Sequence, residues 1–270
     1  MLLEGKRVLV TGLLTHRSIA FAAAREAQAA GAEVILTSYG RSRRATERAA
    51  RGLAAPVEVL ELDASKDDDF PALARELEER WGGLDGALHA IAWAPPALVR
   101  GGLLAGERGD AARAFEISAY SYKRLAETVA PLMPRGGSIV GLTFAPEVAW
   151  PGYDWLGVLK AALEALNRYL AYHLGPAGVR TNLLAAGPIR SVASEVFERF
   201  DVLCDAWEAQ APLGWDSDDP TDVGRAACLL LSDWSSSMTG GILHADGGYH
   251  AMARPAEFNF GSAEPLSVSA

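Results

Sequence analysis

The chain has 270 residues, of which 50% are hydrophobic and 22% charged, and its formal net charge is -9. This composition is typical of a globular protein and excludes a disordered, collagen-like or coiled-coil chain. The acidic balance also disfavours a nucleic acid or an anionic membrane as a partner, because those surfaces bind clustered Lys and Arg.

Short apolar runs rich in β-branched residues alternate with longer helical patterns, which is typical of a parallel sheet covered by helices on both faces. We expect strands at 7–11, 33–38, 57–62, 85–91, 137–142, 179–184 and 241–245. Helices are predicted at 18–30, 43–53, 67–81, 110–132, 154–174 and 220–232. The alternation predicts a Rossmann-type, doubly wound α/β fold. We expect a seven-stranded, mainly parallel sheet in a single domain over residues 1–250, and a tail at 251–270.

The segment after the first strand is a candidate anion site, because ligands of such sheets bind at the carboxyl ends of the strands. Gly12 allows a tight turn, and Ser18 can cap the helix that begins there. The free N–H groups of the first helical turn would point at a dinucleotide pyrophosphate. A plain strand–turn–helix junction fits equally well, and a GxGxxG fingerprint is absent.

The segments after the second and third strands bear on the adenosine end of such a ligand. No acidic residue follows the second strand, where one would accept hydrogen bonds from the ribose hydroxyls. Tyr39 could stack beside adenine, while Arg41 or Arg43 could pair with a 2′-phosphate or remain a solvated charge. Asp63 could accept a hydrogen bond from the adenine amino group, cap a helix, or do both. NADH and NADPH both remain open on these residues.

Tyr153 and Lys160 form the strongest candidate for a reacting centre. They lie seven residues apart, two turns of the predicted helix, so both side chains can point toward one crevice. A nearby ammonium makes a phenol a better donor to an oxygen that gains negative charge. The chain contains only four lysines, so one in an apolar helix face favours a function over a solubilising charge, although a lysine there could snorkel.

Seven motifs in order resemble the short-chain dehydrogenase-like enoyl-acyl-carrier-protein reductases of bacterial fatty-acid synthesis. The resemblance runs from about Leu3 to His250, and the wording of 141–160 is most similar to the mycobacterial members. The motifs are Gly12-x5-Ser18-Ile19-Ala20, His89-Ala90-Ile91-Ala92, Ile117-Ser118-Ala119-Tyr120-Ser121, Gly136-Gly137-Ser138-Ile139-Val140, Tyr153-x6-Lys160, Ala186-Gly187-Pro188-Ile189-Arg190 and Ala245-Asp246-Gly247-Gly248.

The resemblance implies reduction of the 2,3 double bond of an acyl-carrier-protein-linked enoyl thioester, with NADH as cofactor or NADPH as the alternative. Tyr153 would stabilise the enolate, Lys160 would hold the nicotinamide ribose, and Phe144 and Trp93 would lie on the substrate side. The implied cofactor contacts are Gly12, Leu14, Ser18, Ile19, Tyr39, Asp63, Ala64, Ile91, Ala92, Lys160, Ile189 and Ser191. No metal is implied, and a homotetramer is expected.

The chain departs from the pattern of the family at several positions. Ala90 replaces a Ser near the pyrophosphate, Phe144 replaces a second Tyr, and Ser191 replaces a Thr while keeping the hydroxyl. The substrate-loop region 191–215 is shorter than in the mycobacterial enzyme, which indicates acyl chains of ordinary length.

Two other functions remain open. A short-chain carbonyl reductase would carry Tyr-x3-Lys and a Ser thirteen residues before the Tyr, where this chain has Val140. A nicotinamide-binding sensor or scaffold would keep the fold without chemistry; Tyr153 and Lys160 argue against it, whereas Ala90 and the missing ribose acid favour it.

The expected location is the cytoplasm. Cys204 and Cys228 form no CxxC pair, which is typical of reduced thiols. The N-terminus carries no export pattern, and no apolar run approaches the roughly 20 residues that span a bilayer. We therefore expect neither a nucleic-acid nor a membrane partner.

Overall fold

Seven parallel strands form one sheet in the part of the chain that the computed structural model describes, residues 1–100, 102–144, 147–150, 152–192, 194, 196–197 and 200–253. The strands are β1 Arg7–Val10, β2 Glu33–Ser38, β3 Glu58–Glu61, β4 Gly86–His89, β5 Gly137–Thr143, β6 Val179–Ala186 and β7 Ile242–Ala245. Their order is β3-β2-β1-β4-β5-β6-β7. The predicted seven-stranded Rossmann-type sheet in one domain is confirmed.

Helices cover both faces of the sheet. They are α1 Ile19–Ala29, α2 Arg43–Ala50, α3 Asp69–Trp81, α4 Pro96–Arg100, α5 Arg108–Phe115, α6 Ser121–Val129, α7 Asp154–Leu174, α8 Phe200–Gln210 and α9 Thr221–Leu231. Sequence periodicity did not predict α4 or α8. The helix expected at 110–132 is present as a continuous helical segment, but it is not one regular α-helix. A π-helical turn, Glu116–Tyr120, joins α5 to α6, and a short 3₁₀ turn at Ala130–Leu132 follows.

The core lies in two layers, one on each face of the sheet. Along β1, Val8 and Val10 pack into the layer that contains α1 and α9, whereas Leu9 packs into the layer beneath α3 and α6. Alternate residues of a strand point to opposite faces, so a strand covered on both sides must be apolar throughout. This explains why the strands were recognisable as continuous apolar runs.

The strand order reverses between β1 and β4, which places the ligand crevice at the carboxyl ends of these two strands. Thr11 joins the two ends: its hydroxyl donates to Leu88 O at 3.0 Å and accepts the N–H of Ala90 at 3.2 Å. The segments selected from the sequence as candidate sites therefore share one edge of the sheet.

Two further observations bear on the sequence predictions. Among the described residues, no helix combines the length and the apolar character needed to cross a bilayer. Of the predicted tail, residues 254–270 lie outside the described part of the chain, so the domain boundary at 250 stays a prediction.

Candidate active site

The turn after β1 has the features of a phosphate cradle. Ser18 caps α1 as predicted, with its Oγ accepting the N–H of Phe21 at 3.2 Å. Gly12 has φ +77°, and a Cβ there would overlap the carbonyl oxygen of Ala90. Thr15 Oγ1 is buried without a hydrogen-bond partner among the described residues. Because an unpaired buried hydroxyl is unfavourable, this turn fits a ligand that supplies a polar atom, such as a dinucleotide pyrophosphate.

An acidic side chain does reach the end of β2, although it comes from the neighbouring strand. Glu61 of β3 lies in register with Ser38, and its Oε1 accepts the N–H of Gly40 at 2.8 Å. Arg43 is held by Glu47 at 2.9 Å and by Val59 O at 2.6 Å, so it is not a freely solvated charge. Glu61 could not be predicted from the sequence, because only the pairing of β2 with β3 brings its side chain to the end of β2.

Asp63 does not cap a helix, which corrects one of the two roles considered for it. Its carboxylate accepts the N–H and the hydroxyl of Ser65 at 3.0 and 2.7 Å, while the residue that precedes α3 is Asp68. Partial burial raises the pKa of the Asp63 carboxyl, but the Ser65 hydrogen bonds and the charge of Lys66 outweigh it, so the pKa lies below its ordinary value. Asp63 therefore remains a charged acceptor.

The segment after β4 is fixed by the π-helical turn. Ser118 accepts the N–H of Trp93 at 2.8 Å and donates its hydroxyl to Trp93 O at 2.7 Å. The Arg113 guanidinium lies 5.1 Å from the centroid of the Trp93 ring. The ring contact of Trp93 is therefore with Arg113, and its predicted position on the substrate side stays a prediction.

Tyr153 stands immediately before α7, at the edge of the crevice. Its ring centroid lies 5.0 Å from that of Phe144 and 5.7 Å from that of Phe197, with the Phe197 ring stacked on it. Its hydroxyl has no hydrogen-bond partner in the described part of the chain. Burial raises the pKa of the Tyr153 phenol above its ordinary value, so the hydroxyl keeps its proton and can donate it in a hydrogen bond.

Lys160 lies on the buried face of α7, two turns after Tyr153, as the spacing predicted. It is 8% exposed, and its Nζ donates to Leu142 O at 2.8 Å. Burial lowers the pKa of the Lys160 ammonium to about 8, and the Glu164 carboxylate partly offsets that effect. Tyr153 and Lys160 thus contact the same strand end, the first through Phe144 and the second through Leu142.

An aromatic cluster, defined as Phe144, Trp150, Trp207 and Tyr249, packs beside Tyr153. The rings of Trp207 and Tyr249 stack at 3.7 Å between centroids, Trp150 lies 5.0 Å from Trp207, and Phe144 lies 5.5 Å from Trp207. The cluster joins the end of β5 to α8 and to the turn after β7. Only Phe144 was predicted from the sequence.

The remaining predicted contacts follow β1, β2, β3, β4 and β6. Ile189 is buried, and the N–H of Ser191 is held by Ser194 Oγ at 2.8 Å. The other predicted residues lie at the same edge of the sheet, because each follows the carboxyl end of a strand or begins the helix after it. They are Leu14, Ile19, Tyr39, Ala64, Ile91 and Ala92. Their contacts with a cofactor stay predictions.

One group of residues near the end of β7 has the composition of a metal site. The ligand atoms of His244, Asp246 and His250 lie within 4.8 Å of one another. The Asp246 carboxylate already accepts the N–H groups of Gly248 and His250 at 3.0 and 2.9 Å, and the two imidazoles stack at 3.8 Å. These hydrogen bonds and the ring stacking hold the three side chains to one another at the end of β7. The expectation that the protein binds no metal stays a prediction.

Comparison with known proteins gives one family. The profile described as Enoyl-(Acyl carrier protein) reductase matches residues 12–250. The chain is 42% identical to the enoyl-(acyl-carrier-protein) reductase (NADH) of Mycolicibacterium smegmatis, over 92% of this chain and 97% of that protein. It is 40% identical to the protein of the same name from Mycobacterium avium, over 92% and 97%. It is 36% identical to the enoyl-(acyl-carrier-protein) reductase (NADPH) FabI of Staphylococcus aureus, over 93% and 98%.

Proposed function

The chain belongs to the enoyl-(acyl carrier protein) reductase family, and from that membership we propose that it reduces the 2,3 double bond of an acyl-carrier-protein-linked enoyl thioester in fatty-acid synthesis. The observation that carries this proposal is that Tyr153 and Lys160 both lie against the end of β5, Tyr153 on Phe144 and Lys160 on Leu142 O. A phenol that keeps its proton and a buried ammonium are the groups needed beside a carbonyl oxygen that gains negative charge.

NADH, with NADPH as the alternative, would supply the hydride for the β-carbon of the substrate, and a proton from water would complete the reduction at the α-carbon. The phosphate cradle supports this assignment, since Gly12 leaves room for a close backbone approach and Thr15 Oγ1 lacks a partner within the described chain. Relatives named for NADH and for NADPH are both similar to this chain. The residues that would hold the cofactor are Gly12, Leu14, Thr15, Ser18, Ile19, Tyr39, Asp63, Ala64, Ile91, Ala92, Lys160, Ile189 and Ser191.

Tyr153 donates a hydrogen bond to the thioester carbonyl oxygen and stabilises the enolate that forms there. Its raised pKa favours a shared proton that remains on the phenol oxygen. Lys160 holds the nicotinamide ribose hydroxyls and places a positive charge near the developing oxyanion. Phe144 packs on Tyr153 at 5.0 Å, which excludes water from one side of the reacting group. Trp93 is a second substrate-side residue in this proposal.

We assign residues 1–250 to the reductase domain and 191–215, which includes α8, to the wall of the acyl site. We also propose that the protein is a homotetramer and that it is located in the cytoplasm. The outer face of α7 supports an oligomer, because Tyr169 and Tyr172 are 69% and 75% exposed there. The two free, buried cysteines Cys204 and Cys228 support a reducing compartment.

The test is loss of NADH absorbance with crotonyl and octenoyl thioesters, run beside NADPH in the same experiment. The expected result is oxidation of NADH that depends on the enoyl substrate. Absence of oxidation above background with either cofactor would overturn the proposed reaction.

A carbonyl reductase fits the site less well. The position that would carry its Ser is Val140, which is fully buried in the core. The nearest hydroxyl, that of Thr143, donates to Glu164 at 3.0 Å and is engaged there. No described side chain therefore favours ketone reduction over the enoyl reaction.

A further inference from the structure

The buried face of α7 carries two ionisable side chains, one of which the proposed reaction leaves unused. Lys160 has its assigned place beside Tyr153. Glu164 follows one helical turn later and is likewise 8% exposed, on a face otherwise made of residues such as Leu159 and Leu163. Residues four apart on a helix are neighbours, so the two charges face the same interior region. Burial of an uncompensated charge is strongly unfavourable. The burial of the Glu164 carboxylate therefore needs an explanation.

Glu164 and Lys160 bind consecutive residues at the end of β5. The hydroxyl of Thr143 donates to Glu164 Oε1 at 3.0 Å, and Lys160 Nζ donates to Leu142 O at 2.8 Å. Phe144, which packs on Tyr153, is the next residue of the chain. One turn of α7 therefore fixes the strand end from which both Lys160 and Tyr153 are positioned.

Three other ionisable side chains act on this pair: Glu147 after β5, Arg168 on α7 and His89 on β4. The pKa of Glu164 lies above its ordinary value. Burial is the main cause and Glu147, on the segment after β5, adds to it, whereas the Thr143 hydrogen bond, Arg168 on α7 and Lys160 partly offset the two. On β4, burial and the charge of Lys160 lower the pKa of His89 to about 3, so this imidazole is neutral. Glu164 is thus the buried acid that opposes the loss of the Lys160 proton.

We propose that Glu164 is a positioning residue for the reductase reaction: its carboxylate, held by Thr143, keeps Lys160 protonated through neutral pH so that Lys160 can bind the nicotinamide ribose. The inference rests on the proposed function, because it assigns Lys160 the role given there. Glu164 itself contacts neither substrate nor cofactor in this proposal and acts through Lys160.

A purely structural carboxylate is the alternative, and the same helix face offers a residue for comparison. Asn167 accepts the Tyr122 hydroxyl at 3.0 Å and donates to Gly241 O at 3.3 Å. These contacts anchor α7 with neutral groups. Substituting Asn167 should lower the unfolding temperature without changing the pH at which Lys160 loses its proton.

The experiment is a pH titration of the lysine side chains by NMR on protein labelled with ¹³C at lysine Cε. The chain has four lysines, so the spectrum is simple, and the Lys160 signal is the one lost in Lys160→Met. The wild-type midpoint is expected near pH 8. Glu164→Gln keeps an acceptor for Thr143 but removes the charge, so the midpoint should fall by ~1 pH unit, a tenfold change in the protonation equilibrium.

Binding of NADH to the same variants provides the functional readout. In the wild type, affinity should weaken as pH rises through about 8, because the protonated form of Lys160 is then lost. In Glu164→Gln the weakening should begin at lower pH, by the same shift as the NMR midpoint. Glu127→Gln, which removes an exposed carboxylate of α6, is the matched charge control and should leave both curves unchanged.

An unchanged Lys160 midpoint in Glu164→Gln, with or without a lower unfolding temperature, would overturn the proposal. If that variant does not fold, Glu164→Asp serves instead: its carboxylate is withdrawn by one methylene, so the midpoint should lie below the wild-type value, and an equal midpoint counts against the inference. Failure of the enoyl reaction itself would appear separately, as wild-type protein that binds NADH but does not oxidise it.

Discussion

The Tyr153 hydroxyl is a donor whose surroundings favour one protonation state. Its ring is enclosed by Phe144 and Phe197, and burial raises the pKa of the phenol. A group that stays protonated in the resting enzyme can meet the charge that develops on a substrate oxygen without first taking up a proton. Its position, two turns before Lys160, was predictable from spacing alone.

Tyr153→Phe should lower kcat by on the order of 10²- to 10⁴-fold, because it removes the donor to the enolate oxygen and little else. NADH affinity, measured by fluorescence, should stay at the wild-type value. Tyr169→Phe removes a hydroxyl from an exposed ring on α7 and should leave both quantities unchanged. Wild-type kcat in Tyr153→Phe would remove this residue from the reaction.

His89 should make the protein sensitive to acid. Its imidazole is 1% exposed, its Nε2 lies 2.8 Å from Ser121 Oγ, and burial followed by the charge of Lys160 lowers its pKa from 6.5 to about 3. Between pH 3 and 6.5 the imidazole binds a proton in the unfolded chain but not in the folded protein. The contribution of neutral His89 to the free energy of unfolding is therefore complete above about pH 6.5 and is lost as the pH falls toward 3.

Urea unfolding between pH 7 and pH 4 measures this effect. Compared with the wild type, His89→Gln should lose less free energy of unfolding over this range, by on the order of a few kcal/mol. His16→Gln, at an exposed position, should follow the wild-type curve. Equal slopes for His89→Gln and the wild type would show that His89 does not govern the response.

At the scale of elements, α8 is the helix that the aromatic cluster holds in place. Trp207, near the middle of α8, is 1% exposed and stacks on Tyr249. Trp207→Ala should lower the free energy of unfolding by about 3–5 kcal/mol, the range for truncating a large buried aromatic ring.

Denaturant unfolding of Trp207→Ala beside Trp234→Ala tests that assignment. Trp234 is 82% exposed, so its truncation should change stability by less than about 0.5 kcal/mol. Similar losses in the two variants would contradict a role of the cluster in holding α8.

The sequence predicted every strand because each contains a short apolar run. The runs are longest in strands that are buried on both faces, whereas the edge strand β7 is only partly buried. It missed α8, although Phe200, Leu203, Cys204 and Trp207 follow helical spacing, because the region was interpreted as a loop from the family resemblance. The π-helical turn at Glu116–Tyr120 was also missed, since one additional residue per turn leaves no distinct hydrophobic pattern. Its partners, such as Trp93, are brought to it only by the folded chain.

The residues of the candidate site also fall into those that the local sequence predicts and those that only the folded chain brings together. Gly12, Ser18, Tyr153 and Lys160 follow from local rules for turns, caps and helix spacing. Glu61, which reaches the end of β2 from β3, and the aromatic cluster depend on contacts between distant segments. The position of Glu164, one helical turn after Lys160, could have been noted from the sequence. Its burial and its hydrogen bond with Thr143 are visible only in the structure.

At the scale of the whole molecule, the exposed rings on α7 bear on assembly. If the proposed homotetramer covers this face, a charge placed there should weaken association, because it would be buried without a partner. Light scattering should give the mass of four 28.6 kDa chains for the wild type and a smaller mass for Tyr172→Glu. Ala54→Glu, an exposed change between α2 and β3, should retain the wild-type mass. A monomeric wild type would contradict the tetramer.

The burial of Lys160 has a practical consequence for handling the protein. Amine-coupling reagents attack accessible, unprotonated amino groups. Of the other three lysines, Lys6 and Lys123 lie away from the crevice in ion pairs with Asp233 and Glu127, whereas Lys66 pairs with Asp63, a proposed cofactor contact. Lys160, at 8% exposed, is shielded by the fold. Dyes and sensor surfaces coupled through amines at Lys6, Lys123 or the N-terminus should therefore leave the crevice free, whereas coupling at Lys66 should weaken NADH binding.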